Sequence, residues 1–326
     1  MSYEENPKTQ LRLLDPIFCE ASTSDSLQDI LTDREVASFK RDGYLVKRGL
    51  IKDVDSLISI VDYMWEKVPR EILSKDDPSS WLDRPHRKWT EMDAKEVGHL
   101  HRGNWKMRSN HGIGTEPFIL NATANHPAVL RIVEQMIGKP VARSNRVRGV
   151  YVVLPKPIDV SGGLGPHVDH AAAHLCAMVM LAEIPPKIGG FTIWPGSHRR
   201  LHPYWDSCYS AHISEQHQDT FQSEYRSILQ TVTPLEFCGN AGDVVFWHPR
   251  LIHSAGVNYS AEDDDPRVRF VVPCDFQHAE LDFYDDEKLG PGENVQWWVT
   301  TRHFREDIAP TAENLWHDWS FNLEES

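Results

Sequence analysis

The chain has 326 residues, 40% of them hydrophobic and 25% charged, with a formal net charge of −14 at pH 7. That balance belongs to a soluble globular protein able to bury a sizeable core, as one large domain or two small ones. The acidic excess argues against nucleic acid or an anionic membrane as a main partner, and against a free anionic substrate unless a local basic pocket overrides the field.

No apolar run reaches the ~18 residues of a membrane-spanning helix. The acidic start Met1–Pro7 does not read as a secretory signal, and the end Asn322–Ser326 carries no Ser-Lys-Leu address. Five cysteines (Cys19, Cys176, Cys208, Cys238, Cys274) share no short spacing and are expected as reduced thiols rather than a disulfide frame or zinc site. The expectation is a cytoplasmic protein with neither nucleic-acid nor membrane partners.

Residues 1–30 read as a polar arm, with Ile17 and Phe18 among the few residues able to pack on the body. Residues 31–326 read as a single domain. Thr32-Asp33-Arg34-Glu35 has the form of a capping box, in which threonine and glutamate satisfy helix N-terminal amides reciprocally. Asp42-Gly43 stops that helix before the strand Tyr44-Leu45-Val46. Asp53 caps a second helix expected to bury Val54, Leu57, Ile58, Val61 and Trp65. Residues 69–124 read as loop. Pro127 opens a third helix with a stripe of Leu130, Val133 and Ile137, ended by Gly138. From about 141 to 276 the pattern changes to short β-rich runs (149–154, 175–181, 191–194, 244–247, 268–272) divided by Pro and Gly turns. Helices followed by short strands predict a mainly β architecture: a barrel- or sandwich-like core buttressed by N-terminal helices. An aromatic-rich extension over 277–326 would cover the core or form a dimer contact, so the chain is expected as a monomer or homodimer.

His167, Asp169 and His253 carry the chemistry. Two imidazoles and one carboxylate can hold Fe(II) on one face of its octahedron and leave three positions open, as an oxygen-activating site requires. His-x-Asp alone is weak, since 17 histidines in this chain produce about one such match by chance, and His217-Gln218-Asp219 is a decoy of that kind. Context separates the two. His217 and Asp219 lie in a polar stretch of helical character, where positions i and i+2 face apart. His167 and Asp169 follow a Gly-rich turn and lead into an apolar strand, and in extended backbone i and i+2 point the same way. His253 follows another apolar run. His248, which precedes a proline, competes with it as third ligand and is the less favoured. His170 and His174 read as structural or pocket-wall residues, and Trp194 and Trp247 as core aromatics.

Several segments, in this order, resemble the phytanoyl-CoA dioxygenase-like family of Fe(II)/2-oxoglutarate oxygenases: Leu31–Asp33 through Tyr44, His126–Leu130 through Gly138, His167-Val168-Asp169, Gly189–His198 (with Pro195-Gly196-Ser197-His198), and Gly242–Phe246 through Asn258. The resemblance implies a double-stranded β-helix (jelly-roll, cupin-like) core with iron bound by His167, Asp169 and His253, and 2-oxoglutarate and O2 as co-substrates. It also implies an arginine on the strand after the distal histidine, gripping the far carboxylate of 2-oxoglutarate as a guanidinium fork can. Arg267 and Arg269 compete for that role, with Arg269 preferred. Arg148, on a strand ahead of the metal pair, occupies a place where relatives put a polar co-substrate contact.

The expected activity is oxidation of a C–H bond in a small organic molecule, with 2-oxoglutarate decarboxylated to succinate. Related halogenases carry a small residue where this chain has Asp169, so hydroxylation is favoured over halogenation. The alternatives are a peptide side-chain hydroxylase on the same site and a non-catalytic metal-binding cupin-like protein. Specificity is expected from 69–124 and 199–233, where Arg84–Lys88 and Arg199-Arg200 read as solvated charge in preference to a phosphate-binding cluster.

Overall fold

A computed structural model describes residues 14–19, 30–68, 70, 72–82, 99–101, 104–108, 113–156, 165–169, 173–201, 215–277 and 279. His170, Arg84–Lys88 and nearly all of the aromatic-rich C-terminal stretch lie outside the described residues.

The helices come first. Thr32 and Glu35 form the capping box of α1 (Asp33–Asp42), and Gly43 ends it at φ 81°, a left-handed conformation that glycine adopts without steric cost. β2 (Tyr44–Lys47) follows. In α2 (Val54–Glu66), capped by Asp53, the buried residues are Leu57, Ile60, Met64 and Trp65. Ile58, expected on that face, is exposed. The inward stripe runs from Leu57 through Ile60 and Met64 at helical spacing, and a residue one step from Leu57 is turned by about 100°.

The 69–124 stretch is less loop-like than expected. It holds α3 (Ser79–Leu82), β3 (His99–His101), β4 (Asn104–Arg108) and α4 (Pro117–Ala122). Asn104-Trp105-Lys106-Met107-Arg108 is mostly polar, and its strand conformation is set by pairing with a neighbour. α5 (Pro127–Ile137) starts and stops as expected and buries Val129, Ile132, Val133, Met136 and Ile137.

The remaining elements are β5 (Gly149–Val153), β6 (Leu175–Met180), β7 (Phe191–Ile193), α6 (Ser197–Leu201), α7 (Glu215–Thr231), β8 (Leu235–Phe237), β9 (Val244–Trp247), β10 (His253–Ala255), a 3-10 turn (Ser260–Glu262) and β11 (Arg269–Phe276). β1 (Ile17–Cys19), within the stretch read as an arm, pairs parallel with β8. The strands form two sheets: β1-β8-β7-β10, and β2-β9-β6-β11-β5-β4-β3.

Side-chain parity explains the layering. On β6, Leu175, Ala177 and Val179 join the core shared with α2, α4 and α5, whereas Cys176, Met178 and Met180 join a second core that includes Phe191 and Ile193 of the smaller sheet. On β11, Phe270, Val272, Cys274 and Phe276 face the helices, and Val271 faces the other sheet. The central strands β6, β9 and β11 are therefore buried on both faces, which is why they read as continuous apolar runs rather than alternating ones. The architecture is helices, large sheet, small sheet, with a jelly-roll interior between the sheets.

β11 runs four residues beyond the predicted 268–272 segment. Pro273 does not interrupt it, because its carbonyl accepts the Arg148 N–H at the end of β5, away from the β6 ladder.

Two motifs have structural explanations. Gly242 sits at φ 88° with space only for hydrogen, since a Cβ would lie 2.1 Å from the Ile51 carbonyl oxygen. The adjoining Asp243 accepts the N–H groups of Gly49 and Asn240 and pairs with Arg48, which pins the turn before β9. Asn258 is buried and donates to the carbonyls of Val153 and Arg267 while accepting from Ser260. That clip fixes the approach of the chain to Arg269.

Candidate metal centre

The turn Gly165-Pro166 delivers His167 to β10. His167 and His253 form an isolated antiparallel bridge, each N–H donating to the other's carbonyl at 2.9 Å. Extended backbone then puts His167 and Asp169 on one side and Val168 on the other, in the helix-side core. The Tyr225 hydroxyl on α7 donates to the Pro166 carbonyl at 2.5 Å, and Arg200 on α6 pairs with Glu224 on α7, so this helical pair braces the turn that carries His167.

The donor atoms of His167, Asp169 and His253 all lie within 4.8 Å of one another, the one such group among the described residues. His167 Nε2 is 3.5 Å from Asp169 Oδ1, and His253 Nε2 is 3.3 Å from Asp169 Oδ2. Each imidazole Nδ1 is 2.9 Å from a backbone carbonyl, Gly165 for His167 and Leu251 for His253. With Nδ1–H donating there, the lone pair of each ring falls on Nε2, facing the carboxylate. A divalent cation that takes two imidazole nitrogens and one carboxylate oxygen fits this arrangement.

Burial alone would raise the Asp169 carboxyl; Arg148 and the two histidines outweigh it and hold the group well below the usual carboxylate range. Burial pulls the His253 imidazole down against the opposing effect of Asp169. Both directions favour an ionised carboxylate and a neutral ring, the protonation states that bind metal.

The other histidines are elsewhere. His248 accepts the Arg250 N–H on Nδ1 and its ring lies 5.0 Å from that of His198. His174 is buried and donates its backbone N–H to Phe276. The decoy pair 217 and 219 lies in α7, as its helical pattern predicts.

The three arginines separate. Arg267 is at the surface, its side chain 44% exposed and paired with Glu183 and Asp265, so it does not join the site. Arg269 is buried, on the inter-sheet face of β11 by parity with Val271, and its Nε has no hydrogen-bond partner among the described residues. Burial lowers its guanidinium to about 10 despite nearby Glu236. Arg148, expected as a co-substrate contact, pairs with Asp169 and with Asp275.

Three participants were not anticipated. Asp275 shares the inter-sheet parity of Arg269 along β11 and was discoverable from that alternation. Glu236 is buried, accepts the Gly190 N–H at 2.8 Å and abuts Gly256; burial, opposed by the glycine N–H groups and Arg269, raises its carboxyl to about 7. Trp247, expected only as core, lies with its ring 5.7 Å from that of His253.

Solved structures of similar fold include the non-haem alpha-ketoglutarate-dependent carbocyclase SnoK from nogalamycin biosynthesis, at 19% identity over 76% of this chain and 85% of that one, with a TM-score of 0.50. The epimerase SnoN from the same biosynthesis matches at 19% identity over 76% and 82%, TM-score 0.43. HygX from Streptomyces hygroscopicus, with nickel and 2-oxoglutarate bound, matches at 14% identity over 78% and 90%, TM-score 0.46. The SnoK likeness is one of fold. No curated protein matches the chain in sequence. Among the described residues, no helix is long and apolar enough to cross a membrane. The phytanoyl-CoA dioxygenase (PhyH) family profile matches residues 39–267, well over half of the chain, and spans all three clustered residues while ending two residues short of Arg269. The chain therefore belongs to the phytanoyl-CoA dioxygenase family, as an oxidoreductase that uses iron and 2-oxoglutarate.

Proposed function

We propose that this enzyme hydroxylates a C–H bond of a small organic molecule, with His167, Asp169 and His253 as the iron ligands and Arg269 as the anchor for the far carboxylate of 2-oxoglutarate. One observation carries the assignment: three ionisable donors converge within 4.8 Å, with both imidazoles oriented by backbone carbonyls. When bound, iron and 2-oxoglutarate supply the oxidising power: one oxygen atom of O2 enters the substrate, the other enters succinate, and carbon dioxide leaves.

The protein's own residues orient these partners. His253 and Gly256, which abuts Glu236, lie three residues or ~10 Å apart along extended chain. A five-carbon dicarboxylate held at the cluster by its keto acid end would bring its other carboxylate towards Arg269 in that depth. The unpartnered Nε and planar fork of Arg269 suit a carboxylate. Asp169 gives the site a protein carboxylate where a halide would otherwise bind, which supports oxygen insertion. The inter-sheet interior beside the cluster, walled by Phe191 and Trp247, suits a substrate with apolar surface.

The test is anaerobic titration of the apoprotein with Fe(II) and then 2-oxoglutarate, monitored by the visible charge-transfer band of a keto acid chelated to ferrous iron. A band that is lost in His167→Ala and weakened in Arg269→Gln is the expected result. Iron binding without a band would point to a different mechanism, and no iron binding would remove the assignment.

A further inference from the structure

Arg148 sits between two carboxylates. Its Nε and Nη2 form a fork on Asp275, at 2.8 and 2.6 Å, and its Nη1 bonds to Oδ2 of Asp169. All three groups are largely buried, with side-chain exposures of 10% for Arg148, 4% for Asp275 and 16% for Asp169. The fork is fixed from both sides. The Arg148 backbone N–H bonds to Pro273, Asp275 lies directly opposite Cys176 on β6, and Cys176 lies opposite Trp247 on β9. The Cys176 thiol donates to Asp275, and the guanidinium carbon stands 5.9 Å from the Trp247 ring centroid. A row across β9, β6 and β11 to the residue preceding β5 therefore ends in one N–H aimed at one oxygen of the candidate metal carboxylate.

We infer that Arg148, anchored by Asp275, is a positioning residue that restricts Asp169 to binding metal through a single oxygen. The inference rests on the metal assignment above. Oδ2 is engaged by the guanidinium, which leaves Oδ1 for the ion. A carboxylate free of that restraint can bind through both oxygens and occupy one of the positions that the co-substrate and O2 need. A buried lysine could not reproduce the effect in full, because a point charge on a flexible stem does not span two carboxylates as a planar fork does.

The experiment measures affinity with Co(II), which is stable in air, and counts metal-bound waters with Mn(II), from the broadening of its EPR lines in water enriched in oxygen-17. Arg148→Gln would leave Asp275 buried without its partner, so the double variant Arg148→Gln/Asp275→Asn is measured beside it, together with Arg148→Lys. In both glutamine variants the Mn(II) protein without 2-oxoglutarate should hold one bound water fewer than wild type, with Co(II) affinity equal or tighter. Affinity for 2-oxoglutarate should fall about tenfold to a hundredfold, the usual scale for losing a group that orients a metal ligand. Arg148→Lys should fall between.

An unchanged count of bound waters in both glutamine variants would overturn the inference, even with weaker 2-oxoglutarate binding, because it would mean that Arg148 contacts the co-substrate directly. Parallel loss of Co(II) and 2-oxoglutarate affinity would also overturn it, as a purely structural role. Failure of the wild type to bind Co(II) would refute the metal assignment itself.

Discussion

Two regions of the inter-sheet interior treat their buried charges differently. At the metal end, Asp169, Arg148, Asp275 and both histidines are bonded to one another or to backbone, so the polar groups are satisfied before any ligand arrives. At the other end, Arg269 keeps an Nε without a partner, and Glu236 is displaced upward to about 7. A buried donor left unmade costs about 1–3 kcal/mol, a cost that an incoming carboxylate would relieve. On the proposed assignment, the first end is pre-assembled for a cation and the second keeps a donor for an anion.

The largest effect should come from breaking the first end. Asp169→Ala removes the one carboxylate of the donor cluster and leaves Arg148 with a single carboxylate partner; substrate-dependent turnover should become undetectable and Co(II) affinity should fall by at least ~10²-fold. Full turnover in that variant would show that Asp169 is not a ligand. Next comes the second end. Arg269→Gln should raise the Kd for 2-oxoglutarate ~10- to 100-fold, the range of a lost charged hydrogen bond of ~1.5–3 kcal/mol, and leave Co(II) binding unchanged. Calorimetric titration of the Co(II)-loaded protein measures both, and an equal loss of metal binding would erase the distinction between the ends.

Glu236 sharpens the comparison through pH. Its folded pKa lies above its ordinary value of 4.5, at about 7. The folded state therefore holds a proton that the unfolded chain has released, and stability falls as pH rises from 4.5 towards 7. Glu236→Gln keeps a carbonyl oxygen for the Gly190 N–H and removes that penalty. The variant should match wild type at pH 4 and exceed it at pH 8, by no more than ~3.5 kcal/mol for a shift of this size. Denaturant midpoints at the two pH values check it, and equal gains at both would assign the effect to packing. The smallest effect is expected for Arg267→Ala. Its surface pairs with Glu183 and Asp265 belong to a class that contributes ~0–1 kcal/mol. Affinity for 2-oxoglutarate should not change, and a marked loss would return Arg267 to the site.

Much of this was legible in the chain. Extended backbone after Gly165-Pro166 put His167 and Asp169 on one side because the strand period is two, and the capping box, Gly43 and Pro127 set helix ends through local bonding. The pairing of Arg148 with Asp169 was not legible, because it spans 21 residues and depends on how β5, β6 and β11 lie side by side. Arg267 and Arg269 share one parity, so alternation could not choose between them. The Asn258 clip and the acidic neighbours Glu183 and Asp265 separate the two, and those contacts exist only after folding. Ile58 went wrong for a related reason: an amphipathic stripe is read to within a residue or so, and the packing partner decides which edge is buried.

By itself, then, the sequence determined local conformation, the two alternating faces of each strand, and the residue types able to hold a metal, since these depend on neighbours within a few positions. The tertiary structure decided which histidine closed the site, which arginine was buried, and which carboxylate oxygen was already engaged. Those outcomes are set by strand register and by desolvation, and both are properties of distant segments brought together.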